Sequence, residues 1–217
     1  MKDYNVCLFV IGPSGMGKTT LVHSIVRRHL HDYPTGIVFI HDPMAQFGKH
    51  GCHHYPDAFA WRKAALEAKE AKQPMPRGAT LGGNATDVTA LVTELGGKLN
   101  REDDVRVPIL YVTDETSYST GSGSTWMGIE DNQLLSTRRH LGVGIVMCLQ
   151  DAAQRTSAFL RRSTALFLFI MTERESLRVD EAMYLAPKTL ANAGVTQLEP
   201  RRYLHVQMRT GIVAAPL

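Results

Sequence analysis

The run Gly12-Pro13-Ser14-Gly15-Met16-Gly17-Lys18-Thr19 puts three glycines, a lysine and a hydroxyl into one short stretch. The glycines let the backbone curl until its N–H groups converge on one anion, and a lysine at that point adds a positive charge. The spacing is G-x-x-x-x-G-K-[ST], a Walker A phosphate loop, and the chemistry it suits is the binding of a nucleoside triphosphate with Mg²⁺. Lys18 can reach the β- and γ-phosphates, Thr19 can ligate the metal, and Gly12 to Thr20 is the nucleotide-binding stretch.

A second constellation is Ile109-Leu110-Tyr111-Val112-Thr113-Asp114-Glu115, an apolar run ending in two acids. Asp114 at the end of a strand beside a phosphate loop can hold the Mg²⁺ shell. Glu115 can orient and deprotonate an attacking water, and the pair suits hydrolysis. A third is Arg138-Arg139-His140-Leu141-Gly142, followed by the apolar run Val143 to Leu149 and by Gln150. Gln150 is placed to bond a γ-phosphate or the lytic water. Arg139, or Arg138 if the helix ends one residue earlier, can project to a neighbouring subunit's nucleotide. Both roles require a ring of subunits.

These groups need a scaffold. Val6 to Ile11, Ile37 to Ile40, Val107 to Thr113, Val143 to Leu149 and Ala165 to Met171 are continuous apolar runs, as strands covered on both faces of a mainly parallel sheet require. Between them, Leu21, Val22, Ile25, Val26 and Leu30 recur at helical spacing. Asp57 can cap a helix to about Lys72, and Val88, Leu91, Val92, Leu95 and Leu99 mark a third. Strand and helix alternate, which predicts an α/β sandwich with helices flanking the sheet. Tyr203 to Met208, the turn Arg209-Thr210-Gly211 and Ile212 to Ala215 predict an antiparallel hairpin at the C-terminus, over about 203–215. With no domain-splitting linker in 217 residues, the expectation is one domain spanning 1–217.

Composition narrows the classes further. The chain is 44% hydrophobic and 21% charged, which excludes a disordered or fibrous protein. Its longest apolar run falls far short of the ~20 residues that cross a bilayer, and the N-terminus lacks the features of a secretory signal. Cys7, Cys52 and Cys148 suit reduced thiols in a core better than a disulfide framework. A net charge of +3 leaves the partner open.

The order Walker A, Walker B with Asp114-Glu115, then R-x-x-G, an apolar strand and a glutamine resembles the FtsK/HerA superfamily of DNA-pumping ATPases. With RRHLGVGIVMCLQ after the acidic strand and little beyond an ATPase core, the chain looks most like the genome-packaging ATPases of tailless icosahedral viruses with an internal membrane. The resemblance implies a RecA-like P-loop NTPase core, ATP and Mg²⁺ as cofactors, and double-stranded DNA as the partner. It also implies a homo-oligomeric ring, hexameric in the family, docked on capsid vertex or membrane proteins in the virion or working in the host cytoplasm. Lys18, Thr19, Asp114, Glu115 and Gln150 match the family's phosphate, metal, base and sensor positions, and Arg139 matches its trans-acting arginine. Where many relatives have Arg-Pro after the glutamine this chain has Asp151-Ala152, which sets it further from the cellular translocases than from the viral branch.

Other features carry less. His41, His50, Cys52, His53 and His54 lack the paired spacing of a structural zinc site and read as a polar loop. Arg161-Arg162, Arg201-Arg202, Lys49 and Lys188 can line a DNA path or be scattered surface charge. Ser117 to Gly128 is either a DNA-contacting loop or a plain surface or subunit-packing loop. Two other duties compete with packaging: a phage morphogenesis or DNA-transfer ATPase of the same superfamily, and a small-molecule P-loop kinase.

Overall fold

Apolar runs without alternation must be covered on both faces, and they become the strands β1 (Cys7–Ile11), β2 (Ile37–His41), β5 (Ile109–Thr113), β6 (Val143–Leu149) and β7 (Ala165–Leu168). Every side chain of β2, β5 and β6 is buried. Four shorter strands complete the set: β3 (His53–Tyr55), β4 (Gly78–Leu81), β8 (Leu204–Gln207) and β9 (Ile212–Val213). The computed structural model describes residues 4–42, 47, 52–100, 106–113, 129–150, 160–208 and 212–213, with backbone alone for 129–132 and 212–213. The described residues form two compact units. One draws on the described residues within 4–5, 23–113 and 129–145, the other on those within 6–22 and 146–213.

In the first unit the strand order is β3-β4-β2-β5, all parallel. His41 stands level with Leu81 and with Thr113, so these strands release their chains at one edge. Parallel neighbours need crossovers, supplied here by helices. Helix α2 (Ala58–Glu70) starts where the Asp57 carboxylate accepts from the Ala60 N–H at 2.7 Å. Helix α3 (Ala85–Leu99) starts where the Asn84 side chain accepts from Thr86 N–H at 3.0 Å. Helix α4 (Ile129–Thr137) precedes β6. Trp61 of α2 closes edge-on against Phe39 of β2, centroids 4.8 Å apart, burying two large rings in one contact.

Asn100, just past α3, fixes the entry to β5. Its buried amide accepts from Arg106 N–H and Val107 N–H and donates to Val107 and Leu141 carbonyls, all at 2.9 Å. A primary amide satisfied on both sides is costly to replace, because an apolar substitute would strand several backbone groups.

Helix α1 (Lys18–Asp32) begins in the second unit and ends in the first. At its C-terminus Arg77 donates to the Leu30 and Tyr33 carbonyls at 2.9 and 2.8 Å and to that of Gly36 at 3.0 Å, satisfying acceptors that a helix end leaves unpaired. His29 lies buried there, its Nδ1 3.0 Å from the Tyr4 hydroxyl. Burial, reinforced by the Arg77 charge, pushes its pKa from the ordinary 6.5 to about 4. The folded value lies below the unfolded one, so between those values the unfolded chain binds more protons. Stability is therefore full above about pH 6.5 and falls as pH drops toward 4. Between neutral pH and pH 5 the expected loss from this group is about 2 kcal/mol. Urea midpoints measured at both pH values should show it, and a His29→Gln variant should lose most of that dependence.

In the second unit β1 runs parallel to β7, with Ile11 level with Leu168, and β7, β8 and β9 are antiparallel in that order. The expected terminal hairpin is present, its strands shorter than the predicted span and its turn at Arg209-Thr210-Gly211 outside the described residues. Helix α5 (Glu173–Ala182) opens with a capping box, Thr172 with Glu175, and α6 (Thr189–Asn192) follows. Strand β6 spans both units, Val143–Ile145 in the first and Val146–Leu149 in the second.

The architecture is thus α/β with a mainly parallel sheet and an antiparallel C-terminal pair. One local reading changes: His53 and His54 lie in the edge strand β3, paired in parallel to β4, with His54 Nδ1 3.0 Å from Thr80 Oγ1. Their side chains are largely exposed, so no apolar pattern marks the strand.

Candidate nucleotide site

The phosphate loop leaves β1 at Ile11 and enters α1 at Lys18. The junction of β1 and the loop is tied on two sides. Gly12 N–H donates to the Leu149 carbonyl at 3.0 Å, and Phe169 N–H donates to Ile11 at 2.9 Å. A Cβ on Gly12 would stand 2.5 Å from the Phe169 Cβ, so only glycine lets the two strand ends approach this closely. Gly15 answers a different demand, a left-handed turn at φ +79° with nothing within 4 Å of a built Cβ. The two should separate on substitution: Gly12→Ala is expected to cost about 2 kcal/mol or more through displaced packing, against about 1 kcal/mol of backbone strain for Gly15→Ala. Chemical denaturation of the two variants tests the order.

Lys18 is buried, and its ammonium donates to the Gly12 carbonyl at 2.8 Å and the Pro13 carbonyl at 2.9 Å. These neutral acceptors hold the charge inside the curl of the loop. An anionic phosphate oxygen is a stronger acceptor than either, so the ammonium is already placed for a ligand. Pro13, Ser14 and Gly15 are exposed, Met16, Gly17 and Thr19 half-buried and Thr20 exposed, which leaves the cradle open to solvent.

Gln150 follows β6 directly and is half-buried. Because its neighbour Leu149 receives the Gly12 N–H, the structure brings Gln150 to the start of the loop. The two arginines separate clearly. Arg138 is buried and folds back, donating to the Leu135 carbonyl at 2.8 Å and to Asn5 Oδ1 at 3.2 Å. Arg139 is exposed, with its Nε donating to the same Asn5 oxygen at 3.0 Å. Of the pair, Arg139 alone has a guanidinium at the surface.

Asp114 and Glu115 lie outside the described residues, as do the Ser117–Gly128 segment, Lys49 and His50. The strand that delivers them is described to its end: Thr113 is buried and level with His41 of β2. His41 and Asp42 are buried there, Asp42 accepting from the Phe47 N–H at 2.7 Å and His41 Nε2 lying 3.3 Å from the Gly83 carbonyl. No group of three or more His, Cys, Asp or Glu side chains able to hold a metal occurs among the described residues. All three cysteines are buried and unbridged.

Sequence reasoning missed Phe169 as the wall behind Gly12, Asn5 as the shared partner of the two arginines, and Arg201, which lies over Gly17. No spacing rule marks them, since each lies far along the chain from what it touches.

No protein-family model matches the chain, and no curated protein matches it either. Solved structures do. The genome packaging NTPase B204 of Sulfolobus turreted icosahedral virus 2, in complex with AMP, superposes with a TM-score of 0.71 at 14% identity, covering 98% of this chain and 96% of that one. The cytoplasmic domain of the Type VII secretion ATPase EccC of Thermomonospora curvata gives 0.60 at 13% identity, over 97% of this chain and 24% of its own. VirB4 of Thermoanaerobacter pseudethanolicus gives 0.58 at 10% identity, over 96% and 88%. The chain thus has an α/β P-loop NTPase fold shared with the B204, EccC and VirB4 structures.

Proposed function

We propose that residues 1–217 work as one ATP-hydrolysing domain in a homo-oligomeric ring that drives double-stranded DNA into a preformed viral capsid. The observation that carries the reading is the phosphate cradle, with Lys18 buried in the curl of its own loop and Gln150 brought to the loop's first residue. The likeness over nearly the whole chain to a viral genome packaging NTPase supports the duty assigned to it.

The residues take these roles. Backbone N–H groups from Gly12 to Thr20 cradle the phosphates, and Lys18 compensates charge on the β- and γ-oxygens. The Thr19 hydroxyl and the Asp114 carboxylate are hard oxygen donors, a set that fits Mg²⁺. Bound there, the ion would neutralise negative charge on the triphosphate. Glu115 orients the attacking water and accepts its proton, Gln150 fixes the γ-phosphate or that water, and Arg139 reaches the next subunit's nucleotide. A ring of the family's hexameric size would dock on capsid vertex or membrane proteins, in the virion or in the host cytoplasm. No described helix is long and apolar enough to cross a membrane.

Phosphate release measured with and without long duplex DNA, on protein whose oligomeric state is determined in the same buffer, tests this. DNA-stimulated release by a ring supports the motor. Phosphorylation of a small acceptor by a monomer would replace it with a P-loop kinase. A DNA-transfer ATPase is the second reading, distinguished by DNA-stimulated hydrolysis without DNA uptake into procapsids.

A further inference from the structure

The segment that leads into β8 runs against the phosphate loop. Arg201 N–H donates to the Met16 carbonyl at 3.1 Å. A Cβ built on Gly17 would stand 3.4 Å from the Arg201 Cγ and 3.6 Å from its Cα and Cβ, so the arginine's stem lies over the loop's last glycine. Tyr203 packs on Phe169 with ring centroids 5.6 Å apart, and Phe169 is the residue that closes on Gly12. Arg201 also holds a left-handed φ of +68°. A residue other than glycine keeps that conformation only where its surroundings impose it, here through the bond to Met16.

The side chain of Arg201 is exposed, and its guanidinium has no ion-pair partner among the described residues. Its charge is thus not spent on the fold. Position along the loop says what it meets. Lys18 directs its ammonium to the Gly12 and Pro13 carbonyls, at the end of the loop that serves the β- and γ-phosphates. Arg201 stands at the opposite end, over Gly17, where the helix N-terminus begins and the backbone N–H groups cradle the α- and β-phosphates.

We propose that Arg201 is a nucleotide-binding residue of its own subunit, with its guanidinium on the α-phosphate of the nucleotide held by the same loop. The inference rests on the nucleotide-binding reading above. It replaces the reading of Arg201 as part of a DNA path. The α-phosphate is present before and after hydrolysis, so the contact strengthens substrate and product binding alike and leaves the chemical step untouched.

Calorimetric titration of the full chain with ADP and with a non-hydrolysable ATP analogue tests the assignment in the wild type, Arg201→Met, Arg201→Lys and Arg201→Gly. Met keeps the stem over Gly17 and removes the charge. Gly relaxes the left-handed φ, so its weakened binding cannot be put down to a strained or misfolded backbone. The expected result is a loss of about tenfold or more for both nucleotides in Met and Gly, with Lys recovering part of it. KM for ATP should rise while kcat holds. Binding of ADP by Arg201→Met within twofold of a binding wild type would overturn the proposal and leave the nucleotide reading standing. So would a loss confined to the ATP analogue, or a loss of duplex DNA binding with ADP affinity unchanged. A wild type that binds neither nucleotide would overturn both.

Discussion

Replacing Lys18 by alanine is expected to reduce ATP turnover by about 10³-fold or more while leaving the protein folded. The side chain is buried, and its ammonium donates to two carbonyls of the loop that carries it. Losing those bonds should cost no more than about 1–2 kcal/mol, since Pro13 borders solvent and water can serve its carbonyl. The catalytic loss is far larger because no other residue of the loop carries a positive charge to the β- and γ-phosphates. Steady-state phosphate release together with a denaturation midpoint separates the two effects. Glu115→Gln should differ in kind. The amide keeps the shape of the carboxylate but cannot accept the proton of the attacking water, so nucleotide should bind and persist unhydrolysed. Wild-type turnover in Glu115→Gln would place the base elsewhere. Asp114→Asn should raise the Mg²⁺ concentration needed for activity, and an unchanged metal requirement would remove Asp114 from that role.

The second large effect belongs to Arg139. An arginine supplied in trans to phosphoryl transfer is worth ~10³ to 10⁵ in rate, so Arg139→Ala should cripple hydrolysis with nucleotide affinity nearly intact. Arg138→Ala should act differently. Arg138 is buried and donates to the Leu135 carbonyl and Asn5, so its loss should appear first as lowered stability. Mixing Arg139→Ala subunits with Lys18→Ala subunits gives the decisive measurement. Each should be inactive alone, but a mixed ring would contain interfaces where an intact phosphate loop meets an intact arginine, and part of the hydrolysis should return. No recovery in rings shown to contain both variants would leave Arg139 as a helix-end residue held by Asn5.

The phosphate loop, its flanking strand and helix, the buried runs that became β2, β5 and β6, and the Asp57 cap were all legible in the sequence. So was the placement of Gln150 at a strand tip. Each depends on residues adjacent along the chain or one helical turn apart, where backbone sterics, caps and burial act locally. Strands β3 and β4 were not legible. His53-His54-Tyr55 is polar and exposed, and Gly78–Leu81 is too short for a period to show, so both are strands because a parallel neighbour offers hydrogen bonds. Helix α5 escaped for a related reason: its charged run ERESLRVDEA buries only a narrow face, although Thr172 and Glu175 mark its start.

The site divides along the same line. The sequence alone singled out the candidates for holding a phosphate, a metal and a water, because that chemistry resides in residue type and short spacing. Tertiary structure decided what surrounds them. It set Phe169 behind Gly12 and Arg201 over Gly17, and it buried Arg138 while leaving Arg139 at the surface. The contacts of Phe169 with Gly12 and of Arg201 with Gly17 join residues more than a hundred positions apart, and they follow from the pairing of β1 with β7 and of β7 with β8 in one register. Pairing of that kind follows from the packing of whole strands against one another, a sum over many weak contacts that no short stretch of sequence contains.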